Sequence, residues 1–334
     1  MANPDPPPAA PDPAKKSSLS LTEIQKNTGT YRSYTGLIEK LAIIFDKIAA
    51  RNPIELSAFD VIGSVDAISA GVLKAIQEER DSIIGYILGG EVEGHELAKS
   101  SVNSAILAAL TAQELKLSRP RILPIITGAL LHDVGMLRLP REILDKKGGL
   151  SEEELQQVKT HPVHTYTILS KELLFPGDVG SIGLQHHERW DGHGYPRRLS
   201  GEDIAIGARI ISVADAFEAM VSQKSYRNPL VGYQAMKNLL SDNNRCFDPD
   251  VLKAFIRTMG IYPIGSVILL NNGAWARVVE IQKDAPLRPT LRVLMTESGA
   301  VNRQGEGALI HLLNEKKLFI VRAIEPEELA AKNA

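Results

Sequence analysis

The chain of 334 residues has a single cysteine, Cys246, which excludes an internal disulfide and any thiolate cluster. A metal site would have to use nitrogen and oxygen ligands. There is no excess of basic side chains: 38 Lys and Arg stand against 40 Asp and Glu, and the net charge of −2 argues against a duplex nucleic acid partner. A small anionic ligand in a local basic pocket is compatible with that balance. No apolar run approaches the roughly 18 residues of a membrane span. Met1 to Ser20 also lacks the apolar stretch of a secretory leader. These absences predict a cytoplasmic protein. The 44% of apolar residues is enough for at least one sizeable core.

Six prolines between Pro4 and Pro13 forbid a regular helix, so residues 1–20 are expected to form a disordered tail. Leu37, Leu41, Ile44, Phe45 and Ile48 recur at helical spacing within a predicted helix 21–50, and a second is expected from Val65 to Leu88. Together, residues 21–90 form an N-terminal helical region. Two arrangements are open for it: a small separate domain or dimerisation stalk, or an extension of one helical core. A small-residue helix over 91–117 suits a central position. Pro120 opens the next helix, and Ser151 with Glu154 forms a capping box. Helices are further expected up to His186, over 205–220, over 229–242 and over 249–259, giving a helical domain 91–260. From Tyr262 the period changes. Val267–Leu270, Ala276–Ile281, Leu291–Met295 and Leu318–Val321 read as strands, with Asn272-Gly273 a hairpin turn, in a β-module 261–325 followed by a tail 326–334. The fold class is therefore mainly α, a helical bundle with a small C-terminal β-module.

The most informative stretch is Gln185 to Pro196, in which two adjacent imidazoles, His186 and His187, end a short helix. Asp191-Gly192, Gly194 and Pro196 then turn the chain, and Tyr195 offers an aromatic face with a hydroxyl. Neutral imidazoles are good ligands for transition metals. Asp215 lies inside the apolar helix Ile210–Phe217, where an unpaired carboxylate would cost several kcal/mol, so it must meet a cation, a donor or a metal. With His132, Asp133 and His161, these residues fall near helix ends in one region, as a metal held between bundle helices requires.

The order His132-Asp133, His161-Pro162, His186-His187-Glu188-Arg189-Trp190-Asp191-Gly192-His193-Gly194-Tyr195-Pro196 and Asp215 resembles the HD-GYP family of HD-superfamily phosphohydrolases, over roughly residues 55 to 325. The resemblance implies an HD-type helical bundle and metal-dependent hydrolysis of cyclic di-GMP to linear pGpG, GMP or both. It implies that His132, Asp133, His161, His186, His187 and Asp215 ligate divalent ions, two of iron or manganese. Asp133 would be the catalytic bridging carboxylate, and Lys224 and Arg227 would contact phosphate. Tyr195 and Trp190 either stack on guanine or hold the loop's shape.

Two positions depart from the family pattern. Ser100 stands where a histidine is usual, and Met136 where a lysine is usual. Glu96, one turn before Ser100, matches a carboxylate that some members use for an additional metal, and His95 offers another imidazole. A solvated acid and a solvated histidine are the alternatives there. The departures support a second functional expectation: a catalytically degenerate protein that senses cyclic di-GMP or binds a partner. A homodimer or a signalling protein is the expected macromolecular partner.

Overall fold

Helix α1 (Gly29–Ala50) buries Tyr34, Leu37, Ile38, Leu41, Ile44, Phe45 and Ile48, a single stripe at three- and four-residue spacing. The computed structural model describes residues 29–50, 57–89, 92, 94–146, 148–222, 231–241, 245–302, 307–325 and 328. The expected N-terminal tail, the start of the first predicted helix and most of the C-terminal tail lie outside these residues. Helix α2 (Ala58–Gly89) starts before the expected Val65, and its backbone leaves helical geometry at Glu79 (φ −150°, ψ 56°). Just beyond that break, the Arg80 guanidinium donates to the Thr258 carbonyl at 2.8 Å, fastening α2 to a late helix. α1 and α2 share one continuous apolar core with the helices that follow.

Helix α3 (Glu96–Glu114) is buried without interruption from Ser100 to Ala112. Its alanines and serines let the neighbouring helices approach closely, which is why it can stand at the centre. Helix α4 (Arg119–Leu131) opens with Pro120 in its first turn and ends at His132, and a short 3-10 turn (Val134–Arg138) follows. α5 (Arg141–Leu144) precedes α6 (Glu152–Val158), whose start carries the expected reciprocal cap of Ser151 and Glu154. α7 (His161–Thr167) has Pro162 in its first turn, where a missing N–H is harmless, and continues into a wider turn over Ile168–Glu172. α8 (Gly177–Gln185), α9 (Ile206–Val221), α10 (Gly232–Ser241) and α11 (Pro249–Met259) complete the bundle. α3 packs against α1, α2, α4, α9 and α11. Among the described residues, no helix is long and apolar enough to cross a membrane.

The C-terminal strands β1 (Val267–Leu270), β2 (Trp275–Glu280), β3 (Thr290–Met295), β4 (Leu309–His311) and β5 (Ile320–Ala323) form an antiparallel sheet in the order β4-β3-β2-β1-β5. The β1–β2 turn is the expected one, with Gly273 at φ +88° and its N–H donating to the Leu270 carbonyl. β4 was not expected from the sequence: this three-residue edge strand has no buried residue and so no alternating apolar pattern. The sheet has its own small core around Ile268, Leu270, Ala276, Val278, Leu291 and Leu312. Glu114 at the end of α3 pairs with Arg257 at 2.9 Å and Lys283 at 3.3 Å, tying sheet to bundle.

Truncating Phe45, which is fully buried, should cost about 3–5 kcal/mol of stability by emptying the seam between α1 and the rest of the core. Urea denaturation of Phe45→Ala against the unaltered chain measures it.

Candidate metal centre

The helix ends bring the expected imidazoles to one place. His132 terminates α4, His161 opens α7 and His186 terminates α8. Each ring nitrogen Nδ1 lies against the carbonyl three residues back: His132 to Ala129 at 2.7 Å, His161 to Val158 at 2.7 Å and His186 to Gly183 at 2.8 Å. A carbonyl only accepts, so Nδ1 carries the hydrogen in all three. Nε2 is left facing the site, the tautomer and orientation a metal ligand needs.

Asp133 stands among these nitrogens. Its Oδ1 is 3.1 Å from His161 Nε2 and 3.5 Å from His186 Nε2, while Oδ2 is 3.5 Å from His132 Nε2. On the far side, His132 Nε2 is 3.3 Å from Asp215 Oδ1. One carboxylate thus turns one oxygen to His161 and His186 and the other to His132. Asp133, His161, His186 and His187 each offer an atom within 4.8 Å of all the others. The histidines at the back are sealed, whereas the Asp133 and Asp215 side chains keep 24% and 20% exposure, so the carboxylates face the opening.

This donor set fits divalent cations. The Nε2 atoms of His161 and His186 are only 3.1 Å apart, and both face Asp133 Oδ1. Lone pairs converging on lone pairs and carboxylate oxygens call for a positive charge between them. Burial works to lower the pKa of His186 and His187, and both fall below the usual histidine value, so they stay neutral. Burial also opposes charge on His132, but the facing Asp133 and Asp215 outweigh it and push its pKa up to about 10. Burial likewise works against charge on Asp133, but His132, His161 and His186 overcome it and hold the group well below the ordinary carboxylate value.

The turn after His187 is held by residues whose parts are not evident from their type. Glu188 is buried and accepts the backbone N–H groups of Arg197 at 2.6 Å and Leu199 at 3.0 Å. A Cβ on Gly194 would lie 2.4 Å from the Arg189 nitrogen, so only glycine fits the crossing. The Asp191 carboxylate takes a two-pronged contact from Arg189 at 2.8 and 3.1 Å and one from the His193 N–H, which lowers its pKa. Tyr195 stacks on His187 with centroids 4.8 Å apart and planes at 28°. Burial, reinforced by Asp133 and Asp215, raises the pKa of its hydroxyl, which stays protonated. Trp190 holds the loop's shape: its ring packs under the Arg209 guanidinium at 5.5 Å, and its backbone bonds Cys246 and Gly201. His193 is exposed, as expected of a turn position. Thr165 links α7 to the His132-Asp133 turn, donating to the His132 carbonyl at 2.8 Å and accepting the Gly135 N–H at 3.0 Å.

The remaining expected residues are placed differently. Ser100 points its hydroxyl to Glu218 at 2.5 Å. His95 caps α3, accepting the Ala98 N–H at 3.3 Å with its ring edge-on to Phe45, so it does not replace the missing imidazole. Glu96 is exposed and shares with Met136, Ile143, Lys146, Leu150 and Leu155 the wall of a cavity of about 530 Å³, outside the four-residue group. Lys224 and Arg227 lie outside the described residues. Sequence reasoning missed Glu188, Thr165 and Glu218. An acid following two imidazoles into a glycine-rich turn was the available signal for Glu188.

Residues 92–251 match the HD domain family, and residues 267–332 match the KOW domain associated with HD domain. The chain is 31% identical over 237 residues to the cyclic di-GMP phosphodiesterase PA4108 of Pseudomonas aeruginosa, covering 71% of this chain and 56% of that one. It is 30% identical over 214 residues to the cyclic di-GMP phosphodiesterase PdeB of Borreliella burgdorferi, covering 64% and 56%. Residues 185–196, which carry the pattern that resembles the HD-GYP family, fall within the HD domain match. An HDG"Y"P protein from Bdellovibrio bacteriovorus shares the fold with a TM-score of 0.55 at 18% identity, over 69% of this chain and 72% of that one. The chain spans 56% of the length of each of the two enzymes.

With the His132 pKa raised to about 10, a cation entering below that pH must displace a proton from its Nε2. Metal affinity of the stripped protein should therefore rise by about tenfold per pH unit between pH 6.5 and 8, with about one proton released per chain. Calorimetry in buffers of different ionisation enthalpy reads both. Glu188→Gln leaves one of the two backbone N–H groups poorly paired and should lose about 1–3 kcal/mol of stability, measured by thermal denaturation.

Proposed function

We propose that this protein is a metal-dependent phosphodiesterase that hydrolyses cyclic di-GMP to the linear dinucleotide, with GMP as a further product. The observation that carries this reading is the place of Asp133, with one oxygen toward His161 and His186 and the other toward His132, itself opposite Asp215. His132 and Asp215 would hold one ion, and His161, His186 and His187 a second, with Asp133 shared. Nitrogen and oxygen ligands without sulfur suit iron or manganese. When bound, such ions lower the pKa of water and stabilise charge on the attacking and leaving oxygens of an in-line displacement.

The chain's own groups orient the substrate and the ligands. Tyr195 presses His187 into place and keeps a hydroxyl that can donate to a phosphate oxygen. Lys224 and Arg227 neutralise phosphate charge that the ions leave uncovered. In this reading residues 21–90 are the input region, on which a second copy or a signalling protein acts, and residues 91–260 are the catalytic domain. The 56% span of the named relatives leaves the substrate to be tested directly.

One observation favours a sensor instead. Met136, three residues after Asp133, lines the cavity it shares with Glu96 with a thioether that cannot pair with phosphate. Turnover of cyclic di-GMP by anaerobically purified protein, with elemental analysis of the same sample, separates the readings. Linear product with about two ions per chain is expected. Asp133→Asn removes charge shared by both ligand groups and should slow turnover by at least about a hundredfold. Bound nucleotide without product at full metal occupancy would overturn the phosphodiesterase reading.

A further inference from the structure

One fully buried carboxylate has no part in the site just described. Glu218 lies one helical turn beyond Asp215 on α9. It accepts hydrogen bonds from Ser100 at 2.5 Å, from the Asn103 amide at 3.1 Å and from Ser222. Asn103 in turn accepts, through its carbonyl oxygen, the hydroxyl of Tyr34 at 2.5 Å. Tyr34 belongs to α1 and is buried, its ring stacked on Tyr86 of α2 at 5.7 Å and 20°, with Tyr31 edge-on to Tyr86 at 5.4 Å. A polar chain therefore runs from the N-terminal hairpin, across the central helix, to the helix that carries Asp215.

Tyr34, Asn103 and Glu218 are all buried, at 1%, 2% and 0% exposure. In such surroundings a displaced donor is not replaced by water, so each bond constrains the next. The two ends have different consequences. Glu218 and Asp215 share α9, and Asp215 Oδ1 lies 3.3 Å from His132 Nε2. Ser222 caps α9 directly before residues 223–230, the stretch of sequence that holds Lys224 and Arg227.

We propose that Tyr34, Asn103 and Glu218 are positioning residues through which the α1–α2 hairpin sets the place of Asp215, and so the metal affinity of the site. This rests on the reading of His132 and Asp215 as metal ligands. A shift of α1 that withdraws the Tyr34 hydroxyl frees the Asn103 amide, loosens Glu218 and lets Asp215 drift from its partner. The N-terminal region thereby acts on the centre through α9.

Tyr34→Phe keeps the ring stack and removes only the hydroxyl, and Glu218→Gln keeps the shape and removes the charge. Binding of Mn2+ to the metal-stripped full chain is measured for both, for the double variant and for the unaltered protein, with thermal denaturation and cyclic di-GMP turnover alongside. Each single change should weaken Mn2+ binding about five- to tenfold. The double variant should be no weaker than the worse single one, because both act on one chain of bonds. Turnover should fall in kcat with KM little changed. If Glu218→Gln does not fold, Asn103→Ser takes its place in the cycle. A Tyr34→Phe protein with lowered thermal stability and unaltered Mn2+ affinity, or effects that simply add, would overturn the proposal. Shifted, non-additive Mn2+ affinities in a protein that never cleaves cyclic di-GMP would uphold the positioning role and remove the phosphodiesterase reading.

Discussion

The rest of the structure depends on the charge of Asp133 held among imidazoles that cannot turn away. Each of His132, His161 and His186 has its Nδ1 hydrogen spent on a carbonyl of its own chain segment. Their Nε2 atoms are therefore committed to the interior of the site. Three helix ends must meet for this to happen.

Small residues make the meeting possible. A Cβ on Gly135 would lie 2.1 Å from the His161 carbonyl, so the turn after Asp133 can touch the start of α7 only as glycine. Thr165 then bonds both sides of that contact. Around the His187 turn, Glu188 performs the same service with two backbone N–H groups. These contacts hold the imidazoles and Asp133 in place, which would lower the ordering cost of binding a cation. The central helix adds a second layer, since its Ser100 and Asn103 meet Glu218 rather than the ligands.

The helices, the capping box, the hairpin at Asn272-Gly273 and the cluster of imidazoles and carboxylates were legible because each rests on local chemistry. Apolar stripes, a reciprocal cap, positive-φ turn residues and imidazole next to carboxylate are all visible in a short window of sequence. The Glu79 break in α2 and the short edge strand β4 were not legible, and for Trp190 two roles stood open. β4 has no buried residue to give it a pattern, and Trp190 takes its place from Arg209 and Cys246, distant in sequence.

By itself the sequence determined which side chains could ligate a cation, since residue type sets basicity and the absence of thiolate clusters leaves only nitrogen and oxygen. It also determined the rigid turn that follows them. Only the tertiary structure decided how they are grouped: that Asp133 faces both sides, that His95 caps a helix, and that Ser100 belongs to a buried chain reaching Tyr34. The physical reason is that a donor and an acceptor pair through space. Tyr34 and Asn103, or Ser100 and Glu218, have no local signal of each other until the helices carrying them are packed.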